Sequence, residues 1–302
     1  MFEKYKKRLL IISVFAFFVF VITGPAPVQA GRDGQGRHFL WSVETGKNTL
    51  YLVGSIHVLK KGSYPLPKQV VDIYNCCRKV VFETDLDGMN DPESQAGIMK
   101  LGMYPEGQTL SRNVSAQTYQ MVEKKLAATG LPAARFGQFR PWFAAMTITS
   151  LEIMRLGFDP DLGIDRYFFK RALADRKELF FLETNEFQIN LMAGLDSRQQ
   201  EMFLRTTIKE LDVIESMASN MVSSWMTGDV ERLDSILRIS YEEEPDIMAR
   251  FLIDRNKKWV PLLEKLINQG GDVLVIVGAG HLVGKDSLIE LLKRKGYRVR
   301  QL

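Results

Sequence analysis

The chain has 302 residues, 46 % of them hydrophobic and 25 % charged, with two cysteines, three histidines and a formal net charge of +4. This is an ordinary globular composition, which excludes collagen-like, low-complexity and disulfide-framework classes. Lys4, Lys6, Lys7 and Arg8 against Glu3 place three of the four net positive charges in residues 1–30, so the rest is near neutral. Nothing in that balance points to nucleic acid as a partner.

The basic start is followed by a near-apolar run, Leu9 to Ile22, and by the breaker Gly24-Pro25. Val28-Gln29-Ala30 then offers small or β-branched residues where signal peptidase reads, so residues 1–30 are expected to be a signal peptide cleaved after Ala30. The run is short of the ~20 apolar residues of a comfortable membrane span. Export to the periplasm or cell envelope follows, with membrane contact only if the leader stays uncleaved. Residues 31–38 are Gly-rich and polar and read as a disordered start that carries His38.

Residues 39–43 read as a short strand, Lys47-Asn48 suits a hairpin turn, and residues 49–53 form a second strand ending at Gly54. Pro65 and Pro67 open a helix over roughly 68–78, and residues 79–82 make the next strand, ending at Glu83. Ser115 caps a helix that stops at Gly130, Pro141 starts another to about Leu156, and Asp161 or Leu162 starts a third to about Ala174. Residues 179–182 are a strand ending at Glu183. Amphipathic stretches cover 197–226, 229–240 and 246–268, and Met217, Met221 and Met226 read as core. Residues 272–277 form a strand ending at Gly278, a helix follows near 286–295, and residues 297–302 close as a strand. The fold class is α/β: a central mixed, largely parallel sheet with flanking helices and a large helical insertion, residues 39–302 forming one domain.

The adjacent Cys76 and Cys77 are poorly placed to bridge each other, and two cysteines exclude a Cys₄ zinc site. Gly278-Ala279-Gly280 lacks the third glycine of a dinucleotide fingerprint, and no Gly-x-Ser-x-Gly elbow occurs. His57 and His281 each close a Gly-x-x-His motif after an apolar strand, and Glu83 and Glu183 directly follow two more. Taken singly, each is a structural histidine or a solvated cap. Together they place four ionisable groups at strand carboxyl ends, the edge where open α/β sheets bind ligands. Beside apolar packing an unpaired charge is costly, and a shared divalent cation would offset that cost. Nitrogen and oxygen donors suit Mn, Co, Zn or Fe without choosing among them.

On these residues the chain resembles the TraB/GumN family, within the wider group of Tiki-like metalloproteases. The motifs are Leu40-Trp41, Tyr51-Leu52-Val53-Gly54-Ser55-Ile56-His57-Val58, Tyr64-Pro65-Leu66-Pro67, Phe82-Glu83-Thr84-Asp85 and Arg140-Pro141-Trp142. They continue with Gly163-Ile164-Asp165, Leu182-Glu183-Thr184, Arg255-Asn256 and Gly278-Ala279-Gly280-His281-Leu282-Val283-Gly284. The resemblance implies metal-dependent hydrolysis, of peptide bonds foremost, with His57, Glu83, Glu183 and His281 as catalytic and metal-holding residues. Its alternative is a non-catalytic binding protein of the GumN type in envelope or polysaccharide assembly. Arg140, Asp165, Arg255 and Asn256 are the candidate substrate-binding residues, each with a structural reading as helix cap or hydrogen-bond partner.

Overall fold

A computed structural model describes residues 36–46, 48–241 and 245–302. The leader expected over 1–30, residues 31–35 of the segment after it, and Lys47 of the hairpin turn lie outside the described residues. Among the described residues two compact units emerge, one of Asp85–Gly157 with Thr184–Glu215, the other of residues 36–84 with Phe158–Glu183 and Ser216–Leu302.

The second unit holds one six-stranded sheet: β1 (Leu40–Glu44), β2 (Thr49–Ser55), β3 (Lys79–Phe82), β4 (Glu178–Phe181), β5 (Val273–Gly278) and β6 (Arg298–Gln301), in the order β4-β3-β5-β2-β1-β6. The four strands β4, β3, β5 and β2 run parallel, while β1 pairs antiparallel with both β2 and β6. The sheet is therefore mixed and mostly parallel. Every residue of β5 is buried, as a strand covered on both faces must be, which is why Val273–Val277 shows no polar alternation. The expected hairpin joins β1 to β2 through a turn in which Gly46 takes a φ of +81° that favours glycine.

Helix α1 (Lys68–Cys76) places Tyr74 against Phe168 of a helix spanning Ile164–Ala174, with ring centroids 5.0 Å apart. Phe169 of that second helix meets Phe82 of β3 at 5.2 Å. The amphipathic stretch 246–268 is three pieces: an α-turn over Pro245–Met248, a π-helical turn over Ala249–Ile253 and an α-helix over Asp254–Asn268. His38 is half-buried, its N–H donating to the Leu302 carbonyl at 2.6 Å, so it is tied to the C-terminus rather than trailing at the surface. Both cysteines are free. Met217 is fully buried, Met221 half-buried and Met226 38 % exposed, so the methionine stripe is core only at its start.

The other unit is helical. Ser115 accepts from the Thr118 N–H to cap Ala116–Ala128, and Pro141 opens Pro141–Arg155, both where the sequence places them. Two helices absent from the sequence reading lie here, Pro92–Gly102 behind an Asp91 cap and Asn185–Ala193 behind a Thr184 cap. The stretch 197–226 breaks into Ser197–Glu210, in this unit, and Ile214–Thr227, which belongs to the sheet unit from Ser216 on. Leu110, Val122, Leu126, Trp142, Ile148 and Leu204 form the buried core of this unit. Among the described residues of the chain, no helix is long and apolar enough to cross a membrane.

Candidate active site

Sheet register brings four of the candidates to one edge. Ser55 of β2 pairs with Gly278 of β5, Phe82 of β3 with Ile276, and Phe82 again with Phe181 of β4. His57, Glu83, Glu183 and His281 therefore leave four adjacent parallel strands within three residues of the last paired rung. The Glu183 N–H extends the ladder by donating to the Glu83 carbonyl at 2.9 Å.

Asp165 and Asn256 fix the two imidazoles. His57 Nδ1 lies 2.8 Å from Asp165 Oδ2, and a carboxylate only accepts, so Nδ1 carries the proton and Nε2 is left facing the site. His281 Nδ1 lies 2.7 Å from Asn256 Oδ1. The Asn256 amide donates through Nδ2 to the Asp286 carbonyl at 2.9 Å, which sets its oxygen toward the ring and the proton on His281 Nδ1. Gly278 forms the floor between them. A Cβ there would stand 3.2 Å from His57 Nε2 and 3.3 Å from Glu83 Oε1.

Arg255 occupies the centre. Its Nη1 donates to the Phe251 carbonyl at 3.0 Å and to His281 Nε2 at 3.1 Å. Its Nη2 donates to Glu83 Oε2 and to Glu183 Oε1, each at 2.5 Å. Its Nε donates to Glu183 Oε1 at 3.0 Å. All five guanidinium N–H groups thus have partners inside the protein. Trp259, one helical turn on, donates its indole N–H to Glu183 Oε2 at 3.1 Å and stacks on both neighbours. Arg255 Cζ lies 4.7 Å from its ring centroid and the His281 ring 4.3 Å.

The two histidines are driven apart in basicity. Burial pushes His57 down, but the charge and hydrogen bond of Asp165 and the charge of Glu83 outweigh it, so its proton is held above the ordinary range. His281 is pushed down to about 3 by burial and then by the Arg255 charge, and stays neutral. Burial raises Glu83, yet Arg255, His281, His57 and the Gly278 N–H more than offset it and hold the carboxyl at about 2. The Gly278 N–H donates to Glu83 Oε1 at 2.6 Å. Access differs too: the His57 side chain is 14 % exposed and that of His281 1 %. The more accessible imidazole of the pair is His57.

The donor types suit a divalent cation, two imidazole nitrogens and two carboxylates. Their arrangement does not. Among the described residues no three His, Cys, Asp or Glu side chains are grouped to hold a metal ion. The guanidinium of Arg255 stands between the carboxylates and engages the His281 lone pair.

Of the other candidates, Asp165, Arg255 and Asn256 join the cluster. Arg140 belongs to the helical unit, where its guanidinium lies 4.8 Å from the Tyr104 ring centroid and its N–H donates to the Gly102 carbonyl. Sequence reading missed Trp259 and Ser55, whose Oγ accepts from the Asp165 N–H at 3.1 Å. The signal for Trp259 was its place four residues after Arg255, on the same helix face.

Residues 39–301 match the model of the TraB/PrgY/gumN family. The chain is 22 % identical to the uncharacterized protein YbaP of Escherichia coli (strain K12), over 86 % of this chain and 95 % of that protein. It is 21 % identical to a protein of Amphimedon queenslandica named Metalloprotease TIKI homolog, over 97 % of this chain and 67 % of that one. Metalloprotease TIKI1 of Xenopus tropicalis is 20 % identical, over 96 % and 68 %. No solved structure matches the chain.

Proposed function

The chain belongs to the TraB/PrgY/gumN family, and from that premise we propose that it is an exported hydrolase acting on peptide bonds, with His57 as its general base and acid. The observation that carries this reading is the split between two neighbouring imidazoles, one raised and partly exposed, the other neutral and sealed. Environments that push paired titratable groups apart assign acid–base roles. In this mechanism His57 Nε2 takes a proton from water as the water oxygen bonds to the substrate carbonyl carbon. His57 then gives that proton to the departing amine nitrogen as the C–N bond breaks. Asp165 keeps the ring in the required tautomer and stabilises the imidazolium, as the orienting carboxylate of a triad does. Glu83 adds negative charge beside the imidazolium, and Arg255 with Asn256 holds His281 and both glutamates in place. The relatives named metalloproteases support the peptide substrate. The leader expected in residues 1–30 supports export to the cell envelope.

A second reading, favoured by both imidazoles having Nδ1 fixed by a buried side chain, is a metallohydrolase. Such fixing is usual for metal-bound histidine. There His57, Glu83 and His281 would hold a divalent ion (Mn, Co, Zn or Fe), which when bound supplies a water of lowered pKa.

The test is cleavage of a peptide library by the purified protein, with and without chelator, beside His57→Ala. Cleavage that His57→Ala abolishes supports a hydrolase, and its sensitivity to chelation chooses between the readings. Cleavage undiminished in His57→Ala refutes both, and a protein that cleaves nothing points to the non-catalytic binding role.

A further inference from the structure

We propose that the open edge of β4 is a dimer interface, where a second copy of this chain adds its own β4 antiparallel to make one continuous sheet. The inference rests on the edge of the sheet unit and not on the hydrolase reading.

β4 stands at one end of the strand order, and among the described residues no strand pairs with its outer side. In a parallel ladder, alternate residues bond to the same neighbour. The Glu178 N–H donates to the Arg78 carbonyl and the Leu182 N–H to the Phe82 carbonyl, each at 3.0 Å. Glu178, Phe180 and Leu182 are thus turned to β3, while Leu179 and Phe181 turn their N–H and C=O outward. The edge is also apolar. Phe181 is 41 % exposed and its ring centroid lies 6.4 Å from that of Phe169. Leu173, one turn after Phe169 on the same helix face, is 46 % exposed. An edge of this kind is a template for another chain unless charge blunts it.

Register and charge select a second copy as the occupant. Antiparallel pairing about Phe180 sets Leu179 of one protomer opposite Phe181 of its partner, and the converse. Each such pair exchanges two N–H to carbonyl bonds, so every outward group of both strands is used. The same pairing lays the Phe181 ring of each protomer against Leu179 of the other. The basic starts of the two strands, Arg176-Lys177, then lie at opposite ends of the interface, whereas parallel pairing would set them side by side. Glu178, the one ionisable residue of β4, faces Leu182 of the other copy and already has its counterion, Arg78 at 2.9 Å. The other sheet edge does not suit such pairing. β6 exposes Arg298 and Arg300, and the same symmetry about Val299 would place these like charges directly opposite each other.

The test is analytical ultracentrifugation of the full chain at up to about 100 μM, in wild type, Leu179→Pro and Phe181→Lys. Proline removes an outward N–H that β3 does not use and lysine puts a charge on the edge, so neither strips a bond from the sheet. Circular dichroism checks the fold. The expected result is a wild-type dimer, with dissociation constants at least about tenfold weaker in both variants. Phe180→Cys in a Cys76→Ser background adds a measurement that needs neither variant. The two-fold axis makes the two positions 180 a non-hydrogen-bonded pair with Cα atoms about 4.5 Å apart, within disulfide reach, so air oxidation should give a covalent dimer. Leu262→Cys, at another exposed apolar position, should not. A wild type that stays monomeric overturns the proposal and leaves the edge to an extended peptide of another protein. A dimer that persists in the folded variants, or fails to cross-link through position 180, pairs by some other face and overturns it as well.

Discussion

Replacing Glu83 by glutamine tests the electrostatics of the cluster most directly. The carboxyl is held at about 2 instead of 4.5, and at about 1.36 kcal/mol per pH decade this is worth about 3 kcal/mol of stability at pH 7. Since the folded value is depressed, that stability is present above about pH 4.5 and is lost as pH falls toward 2. By pH 3 about 2 kcal/mol of it has gone. Glutamine keeps one acceptor for Arg255 but turns an amide N–H₂ toward the Gly278 N–H or the guanidinium. That mismatch adds about 1 kcal/mol that does not vary with pH. Urea unfolding followed by tryptophan fluorescence suits the purpose, because Trp41, Trp225 and Trp259 belong to the sheet unit that contains Glu83. With an m-value near 2–3 kcal/mol/M, a total deficit of about 4 kcal/mol should lower the variant's midpoint at pH 7 by roughly 1.3–2 M. Its deficit relative to wild type should shrink by about 2 kcal/mol between pH 7 and pH 3. A deficit of the same size at both pH values would refute the argument that Arg255 and the histidines stabilise an ionised Glu83.

Asp165→Asn removes the largest influence that raises His57, so the imidazole should titrate at lower pH than in wild type, read by NMR of the ring protons; an unchanged titration sinks the assigned pairing. Any cleavage by wild type should rise with pH through the His57 value, because the base form must be unprotonated, and the rise should move to lower pH in Asp165→Asn. Gly278→Ala keeps an ordinary backbone conformation (φ −49°, ψ 135°) but sets a methyl 3.2 Å from His57 Nε2. It should cut cleavage at least about tenfold while costing about 1–3 kcal/mol of stability; full activity would show that Nε2 does not work over this floor. In the helical unit, burial alone pushes Glu210 up to about 10. A raised carboxyl is neutral in the fold and costs stability as pH climbs above 4.5, so Glu210→Gln should stabilise increasingly toward alkaline pH, by at most about 5 kcal/mol at pH 8. A gain that does not grow between pH 5 and pH 8, in thermal unfolding, would contradict it.

The sheet was legible because its buried strands are nearly continuous apolar runs, and a polar residue directly after such a run has few places to go but the strand end. His57, Glu83, Glu183 and His281 stand at the strand ends where that logic puts them. The role of Arg255 was not legible in this way. A charged residue on an amphipathic helix reads as part of the solvated face, and only the tertiary fold turns it inward between two carboxylates. The helices Pro92–Gly102 and Asn185–Ala193 carried readable caps, Asp91-Pro92 and Thr184, but too little apolar periodicity to stand out. The division into two units left no trace in composition, since no Pro/Gly/Ser linker marks the crossings at 84–85, 157–158, 183–184 and 215–216. The break in 197–226 likewise falls at Leu211-Asp212-Val213, where neither glycine nor proline announces it.

The π-helical turn over Ala249–Ile253 immediately precedes Asp254 and Arg255. Such a turn has the phase of an α-helix with one residue inserted, so everything after it is rotated by about 100° relative to an uninterrupted helix. Arg255, Asn256 and Trp259 owe their common heading to that offset. Deleting a single residue between 249 and 253 would restore a regular helix of nearly the same length and swing all three off the cluster at once. The length of this turn is thus an angular setting, and a one-residue indel here would act on the site like a simultaneous triple substitution.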